Sequence, residues 1–404
     1  MHSSHEIVVV GGGLVGSSVA CALSMAGRDV ALIEATAPKG PPPPSFDERN
    51  LALAAASLNA LEALGVLRHL ATPPAPIRRI HISRAGDFGS VQLDARQHGR
   101  EAFGGVVIAR ELGAALEARL AELSAIRRYR PLRFHGLHSG DEGVRIDTRS
   151  ATPDLPSTLS ARLLLACDGS DSPVRQALGI GVQRHDYQQT LIVHALRSDR
   201  PHQGRAWERF TDTGPLALLP RADGSHGVVC GVAGEQAEAL LALPDAAWLA
   251  WLQQRFGGRA GRFLRCGARH AYPIIRTLAE TLTAPRCVLL GNAAQTIHPI
   301  GAQGFNLGLR DALSLADALD GADDPGAPSV LADYRDRREE DRAQTLAFSD
   351  GLARFTAGSG FAHHLLRSAG LSVLGATTGA QAALVAGAMG FRGRVPRLAR
   401  GQVA

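Results

Sequence analysis

The chain has 404 residues, of which 45% are hydrophobic and 20% charged, a composition that argues against wholesale disorder and suits two packed domains or one large domain with an insertion. Its net charge is +5, but the basic residues are almost all Arg and scattered, and only 5% of residues are aromatic, so nucleic acid is not an expected partner. Five cysteines, Cys21, Cys167, Cys230, Cys266 and Cys287, form no C-x-x-C pair and no metal-ligand spacing, which points to buried thiols in a reducing compartment and to no metal site.

In chain order, MHSSHEIVVV runs straight into the β-branched strand Ile7–Val10 without the basic region and cleavage site of a signal peptide, and a cytoplasmic location is expected. GGGLVGSSVACALSMAG has helical apolar spacing and DVALIEA reads as a second strand, together the β-α-β unit of a doubly wound sheet. GPPPP at Gly40–Pro44 fits neither helix nor central strand and is expected to be a stiff exposed loop. SLNALEALGV is a predicted helix ending at Gly65. From Pro73 to Gly99 the pattern becomes strand-like, in IRRIHIS and SVQLD. A helix follows at Arg110–Leu123, then strands GVRIDT and ARLLLACDG. Val182 to His270 is again strand-rich, with TLIVHAL, GPLALLP and HGVVCGV, and helical spacing returns at Asn306–Leu319 and Leu331–Phe348. These elements predict an α/β protein. Residues 1–75, 100–181 and 271–330 would form a discontinuous dinucleotide-binding domain, 76–99 and 182–270 an inserted β-sheet domain, and 331–404 a helical C-terminal region. No internal repeat is evident.

Two glycine-bearing segments carry the chemistry. Gly11-x-Gly13-x-x-Gly16, with Leu14 and Val15 opening the helix, sits between strand and helix, and Glu34 ends the second strand. Gly11 makes the tight turn, Gly13 admits a pyrophosphate to the helix N-terminus, Gly16 lets helix and strand approach, and Glu34 suits a ribose. LLGNAAQTIHPIGAQGFNLGLRDA, Leu289–Ala312, lacks that spacing but leads from a strand end through a His-Pro turn into an amphipathic helix. Asn292 can bond ribityl hydroxyls or phosphate, and the helix start after Gly301 and Gly304 can aim its N–H groups at a redox ring. The two segments would thus hold opposite ends of one flavin.

Over nearly its whole length the chain resembles the single-component FAD-dependent aromatic hydroxylases, and within them the ubiquinone-biosynthesis hydroxylases. The resemblance rests on GGGLVG…E, CDGSDSPVR and GNAAQTIHPIGAQGFNLGLRDA, in that order, with FDERNLALAAASLNALEALGV between the first two. It implies a Rossmann-like FAD domain of the glutathione-reductase/p-hydroxybenzoate-hydroxylase type with an inserted β-sheet substrate domain. By the same resemblance Arg49 takes the flavin-contacting arginine role and Arg110 contacts the cofactor. Asp168-Gly169 serve the FAD pyrophosphate and the co-substrate NAD(P)H, and Phe305 and Asn306 lie at the ring. His298, Pro299 and Gln303 are the candidate catalytic residues; for His298 a structural turn role competes with a proton relay. Asn292 and Gln295 replace the family's usual Asp and His, as in the branch that hydroxylates 2-polyprenyl-6-methoxyphenol. Ala302 replaces a glycine, at a cost on the order of 1 kcal/mol if its φ is positive. The implied reaction reduces the flavin with NAD(P)H, adds O₂ at C4a, and passes one oxygen from the hydroperoxide to a prenylated methoxyphenol.

Two other functions fit the same motifs, a flavin reductase or dehydrogenase that never activates O₂, and a low-turnover flavin-holding scaffold. The pair His363-His364 lacks a carboxylate or cysteine at ligand spacing. YRDRREEDR, Tyr334–Arg342, reads as a solvated helix face. Ser368–Phe391 carries no charge and is followed by Arg392, Arg394, Arg397 and Arg400. A packed helical tail is expected there, with peripheral contact on the inner face of the cytoplasmic membrane as the sharper reading. A ubiquinone-biosynthesis protein complex is a partner implied by the family.

Overall fold

The computed structural model describes residues 2–37, 47–357, 368–370, 377–391 and 393–401. The GPPPP loop and the His363-His364 pair lie outside them, as do residues 371–376 of the uncharged stretch.

Ile7, Val8 and Val9 are wholly buried in β1 (His2–Val10), as a strand covered on both faces requires. It pairs in parallel with β2 (Val30–Ile33) on one side and with Thr158–Ala166 on the other. Ile126–Tyr129 and Cys287–Leu289 continue the parallel sheet outward. Helix α1 (Leu14–Met25) covers one face. An antiparallel ribbon, Arg133–Ser139 with Val144–Arg149, extends this sheet beside Thr158–Ala166.

A second, nine-stranded sheet is built around the 17-residue strand Val182–Ser198 and recruits Arg79–Arg84 and Ser90–Asp94 from the earlier sequence. It runs past residue 270, since His270–Ala279 and Gln295–Thr296 are among its strands. One face packs against a helix, Asp245–Phe256, that the strand-rich reading of this region did not anticipate. Trp248, Leu252 and Phe256, four residues apart, form its buried stripe. Trp248 Nε1 donates to His194 Nε2 at 3.0 Å while the other ring nitrogen lies 2.8 Å from the Ala195 carbonyl, which fixes a neutral imidazole. Burial pushes the His194 pKa down to about 4. The opposite face of the sheet looks toward the first domain. A small sheet of Asn50–Ala54, Gly104–Ile108 and Ala75–Pro76 lies between the two.

The C-terminal helices correct one expectation. In the Pro328–Ala357 helix, Arg338 and Asp341 of the YRDRREEDR run are 1% and 3% exposed, not solvated. Arg338 bonds Asp311 at 2.6 Å and Asp341 at 2.8 Å, and Arg310 bonds Asp341 at 2.7 Å. Arg310 and Asp311 belong to the Gln303–Ala318 helix, so complementary charges on two helices neutralise one another inside the interface. A periodicity reading takes one helix at a time and places such residues in water. A surface i,i+4 bridge does form at the start of the run, between Arg337 and Asp333 just before it, at 2.7 Å. Among the described residues no helix is long and apolar enough to cross a membrane.

Candidate active site

At the glycine loop, Gly11 has φ of 104°, and a Cβ there would stand 2.4 Å from the Cys167 carbonyl oxygen. A Cβ on Gly16 would stand 1.9 Å from the Gly11 oxygen, so only glycine lets α1 lie this close to the turn. Gly13 caps α1 without any side-chain hydrogen bond, which leaves first-turn N–H groups available to an anion. Glu34 accepts from Gly12 N at 2.8 Å, Thr36 N at 2.7 Å and Thr36 Oγ1 at 2.8 Å, and is thereby locked at the end of β2.

The middle of the site is the Asp168-Gly169 turn. Asp168 Oδ2 accepts from Val174 N at 3.0 Å, whereas Oδ1 is buried and, among the described residues, has no hydrogen-bond partner. Burial pushes this carboxyl above its usual range. Ser172 caps the short helix Pro173–Ala177, and Arg175 donates to the carbonyls of Ala293 at 2.9 Å and Ser170 at 2.8 Å. That arginine ties the Asp168 turn to the Gly291–Asn292 turn. Arg49 bonds Asp47 at 2.7 Å and lies 5.5 Å over the Tyr272 ring.

At the far end, Gly301 and Ala302 both adopt left-handed backbone, at φ of 72° and 53°. They turn the chain into the Gln303–Ala318 helix, whose N-terminus again lacks a side-chain cap. Asn306 is fully engaged by protein. Its Oδ1 accepts from Ala54 N at 2.9 Å and Ser57 Oγ at 2.7 Å, and its Nδ2 donates to Ala52 O at 2.9 Å and Ala302 O at 2.7 Å. It clamps this turn to the Asn50–Ala54 strand instead of reaching for a ligand. His298 is buried, edge-on to Tyr187 at 4.7 Å; its Nδ1 accepts from Ile300 N at 3.2 Å and its Nε2 meets Gln189 Oε1 at 3.3 Å. Those contacts are what a turn histidine needs. Gln295 donates to Asp311 at 2.6 Å and accepts from Arg342 at 2.8 Å, joining the buried charge network to the motif.

One cavity of about 1320 Å³ connects these parts. Gly11, Gly13, Leu14, Val15, Glu34, Arg49, Asp168, Gly169, Asn292, Pro299, Gly301, Gln303, Gly304, Phe305 and Asn306 all line it. Gly16, His298 and Arg110 do not. Gly16 acts through packing, and Arg110 pairs with Glu48 at 2.7 Å on the surface. Sequence reasoning assigned the opposite wall to the inserted sheet but named none of its residues; Leu191, Val193, Ala206, Glu208, Phe210, Ala217 and Val229 present one face of that sheet. The period-two alternation of those strands was the available signal. A glycine cradle, an orphaned Asp168 oxygen and two uncapped helix starts in one elongated hollow fit FAD.

Residues 4–349 match the FAD binding domain family. The chain is 35% identical over 353 residues to the ubiquinone hydroxylase UbiL of Rhodospirillum rubrum, covering 86% of this chain and 81% of that protein. It is 30% identical to the 3-demethoxyubiquinol 3-hydroxylase of Escherichia coli, covering 87% and 89% of the two. The p-nitrophenol 4-monooxygenase PnpA of Pseudomonas putida superposes with a TM-score of 0.78 at 19% identity, over 98% of this chain and all of that one. Fold, cavity and relatives together define an FAD-dependent aromatic-ring monooxygenase. The chain belongs to the FAD binding domain family and, within it, to the ubiquinone-biosynthesis hydroxylases.

Proposed function

We propose that this enzyme hydroxylates the ring of a prenylated methoxyphenol on the route to ubiquinone, with NAD(P)H and O₂ as co-substrates. The observation that carries the reading is the continuity of the cavity, from the glycine loop to an apolar sheet face. When bound, FAD supplies the electron transfer and the oxygen activation. The chain's own residues do the rest. The α1 N-terminus and the Asp168-Gly169 turn hold the phosphate and ribityl portions. The uncapped N–H groups opening the Gln303–Ala318 helix would stabilise negative charge on a reduced ring bound beside them. Leu191, Val193, Phe210 and Val229 keep water from the reacting ring and match an apolar substrate.

The same cavity reaches Phe348, Gly370 and Ala388 of the C-terminal region, and this margin receives the prenyl tail. Arg397 is engaged by Asp317 at 3.0 Å and Asp320 at 2.8 Å, so peripheral membrane contact would rest on the substrate's tail and not on this cation. The names of the relatives support a place in ubiquinone biosynthesis.

The test is turnover of a short-chain 2-prenyl-6-methoxyphenol by the FAD-loaded enzyme with NAD(P)H and isotopically labelled O₂. One labelled oxygen in the phenol is the expected result. Flavin reduction without labelled product would overturn the reading in favour of a non-oxygenating reductase. Absence of any substrate-stimulated reduction would favour the scaffold.

A further inference from the structure

The strand Arg205–Thr211 divides its side chains between two environments. Trp207 packs into the cluster under the Asp245–Phe256 helix and only borders the cavity, while Ala206, Glu208 and Phe210 line its wall. Glu208 therefore interrupts a face that is otherwise apolar around it. In register beside it stand Ile82 on one neighbouring strand and Ala217 on the other.

Nothing in the fold uses this carboxylate. Glu208 is half-buried; among the described residues no hydrogen bond or ion pair reaches it, and its enclosure in the cavity wall pushes its pKa up to about 7. The charged groups around it are engaged elsewhere. Arg84, two residues beyond Ile82 on the same strand, bonds Asp212 at 2.6 Å and the Ala85 carbonyl at 2.9 Å. Arg209 donates to the Arg255 carbonyl at 3.1 Å, and Arg205 lies 5.2 Å over the Trp207 ring. The Gly214–Pro220 strand carries no titratable side chain. Glu34, Arg49, Arg133, Asp168 and Asp171 line the cavity from the cofactor-binding segments, and Arg84 lines it from the sheet. An acid set in an apolar cavity wall, with its pKa moved by its surroundings, marks a candidate site of chemistry.

We propose that Glu208 is the residue that takes the phenolic O–H of the substrate, as hydrogen-bond acceptor on binding and as base during ring oxygenation. This rests on the aromatic hydroxylation proposed above. As a ring carbon bonds the oxygen delivered from O₂, the phenolic O–H bond breaks and its electron pair enters the ring. The proton rests on Glu208. The O–O bond breaks as the ring carbon takes its oxygen. The hydrogen on that carbon then leaves as a proton, which departs with the second oxygen atom as water. As the ring regains aromaticity, the phenolic oxygen takes its proton back from Glu208. The carboxylate is then restored, and NAD(P)H and O₂ remain the only reductant and oxidant consumed. A base that titrates near neutrality is suited to passing a proton both ways.

The experiment measures binding to the oxidised, FAD-loaded enzyme through the flavin absorption spectrum, on both sides of pH 7. The ligands are 2-methoxyphenol and its methyl ether, 1,2-dimethoxybenzene. With rising pH the phenol should bind about tenfold tighter, because an ionised Glu208 accepts a charge-assisted hydrogen bond. The ether, which has no donor, should bind more weakly over the same range. Glu208→Gln should flatten both dependences and lower labelled product formed per NAD(P)H consumed by about tenfold or more. Parallel pH dependences for the two ligands on the unaltered enzyme would overturn the proposal, as would a Glu208→Gln enzyme that keeps the crossing. If the dependences cross but labelled oxygen enters no phenol, the acceptor role stands while the base role falls together with the hydroxylation reading. If oxygen enters and the dependences stay parallel, only the proposal for Glu208 falls.

Discussion

Ala302 sits at φ 53° and ψ 37°, where a Cβ crowds the following carbonyl at a cost of about 1–2 kcal/mol. The turn persists because Gly301 before it is also left-handed and Asn306 holds the Ala302 carbonyl at 2.7 Å. Ala302→Gly is expected to raise the denaturant midpoint by the equivalent of ~0.5–1 kcal/mol, the relief exceeding glycine's extra freedom in the unfolded chain. Unchanged or reduced stability would show that the methyl group makes a contact of its own. Asn306→Ala removes four hydrogen bonds and strands buried groups on both partners, at an expected cost of about 2–4 kcal/mol together with faster loss of FAD on gel filtration. The strain at position 302 was legible in the sequence, since an alanine replaced a glycine in a turn. The clamp was not. Asn306 reads as a ligand-facing residue of the loop, but its partners Ala52, Ala54 and Ser57 are some 250 residues away. Arg110 is a further case of a residue expected at the cofactor that has a protein partner here, Glu48.

The pairing of the Gln303–Ala318 and Pro328–Ala357 helices depends on Arg338, which answers two carboxylates at once. Arg338→Met would leave Asp311 without its arginine and Asp341 with Arg310 alone, and the expected loss is about 3–5 kcal/mol. Burial pushes the Asp341 carboxyl up, but Arg310 and Arg338 outweigh it and hold the pKa below the ordinary 3.8. Its contribution is therefore complete above pH 3.8 and disappears as pH falls through the lower folded value. Arg310→Met should move the acid-unfolding midpoint upward; an unmoved midpoint would assign acid sensitivity to other groups. At this scale the β-α-β unit, the helix after it and most strands of both sheets followed from local pattern. The Asp245–Phe256 helix did not, because it is a single three-turn stripe set between strands and was absorbed into their texture. Nor did the buried charges, since burial of a helix face is decided by its neighbour.

Across the whole molecule, His81, His194 and His226 are buried neutral, with pKa values pushed down to about 4 by burial first, and also by Arg259 for His81 and by His202 for His226. In the unfolded chain they titrate near 6.5, so as pH falls below that value the unfolded state takes up protons that the folded state refuses. Thermal stability should decline from about pH 6.5 downward, and His194→Gln should soften that decline. A flat melting profile between those pH values would contradict the burial of these rings.

The long cavity has a further consequence for the protein in the cell. A cofactor held between segments far apart in the chain binds the folded form in preference to the unfolded one. At a free FAD concentration one hundred times the dissociation constant, that linkage stabilises the fold by about 2.7 kcal/mol. Melting temperature should therefore climb with added FAD. By the same arithmetic a riboflavin-starved cell would lose these molecules to its proteases, and abundance would track vitamin supply before catalysis did.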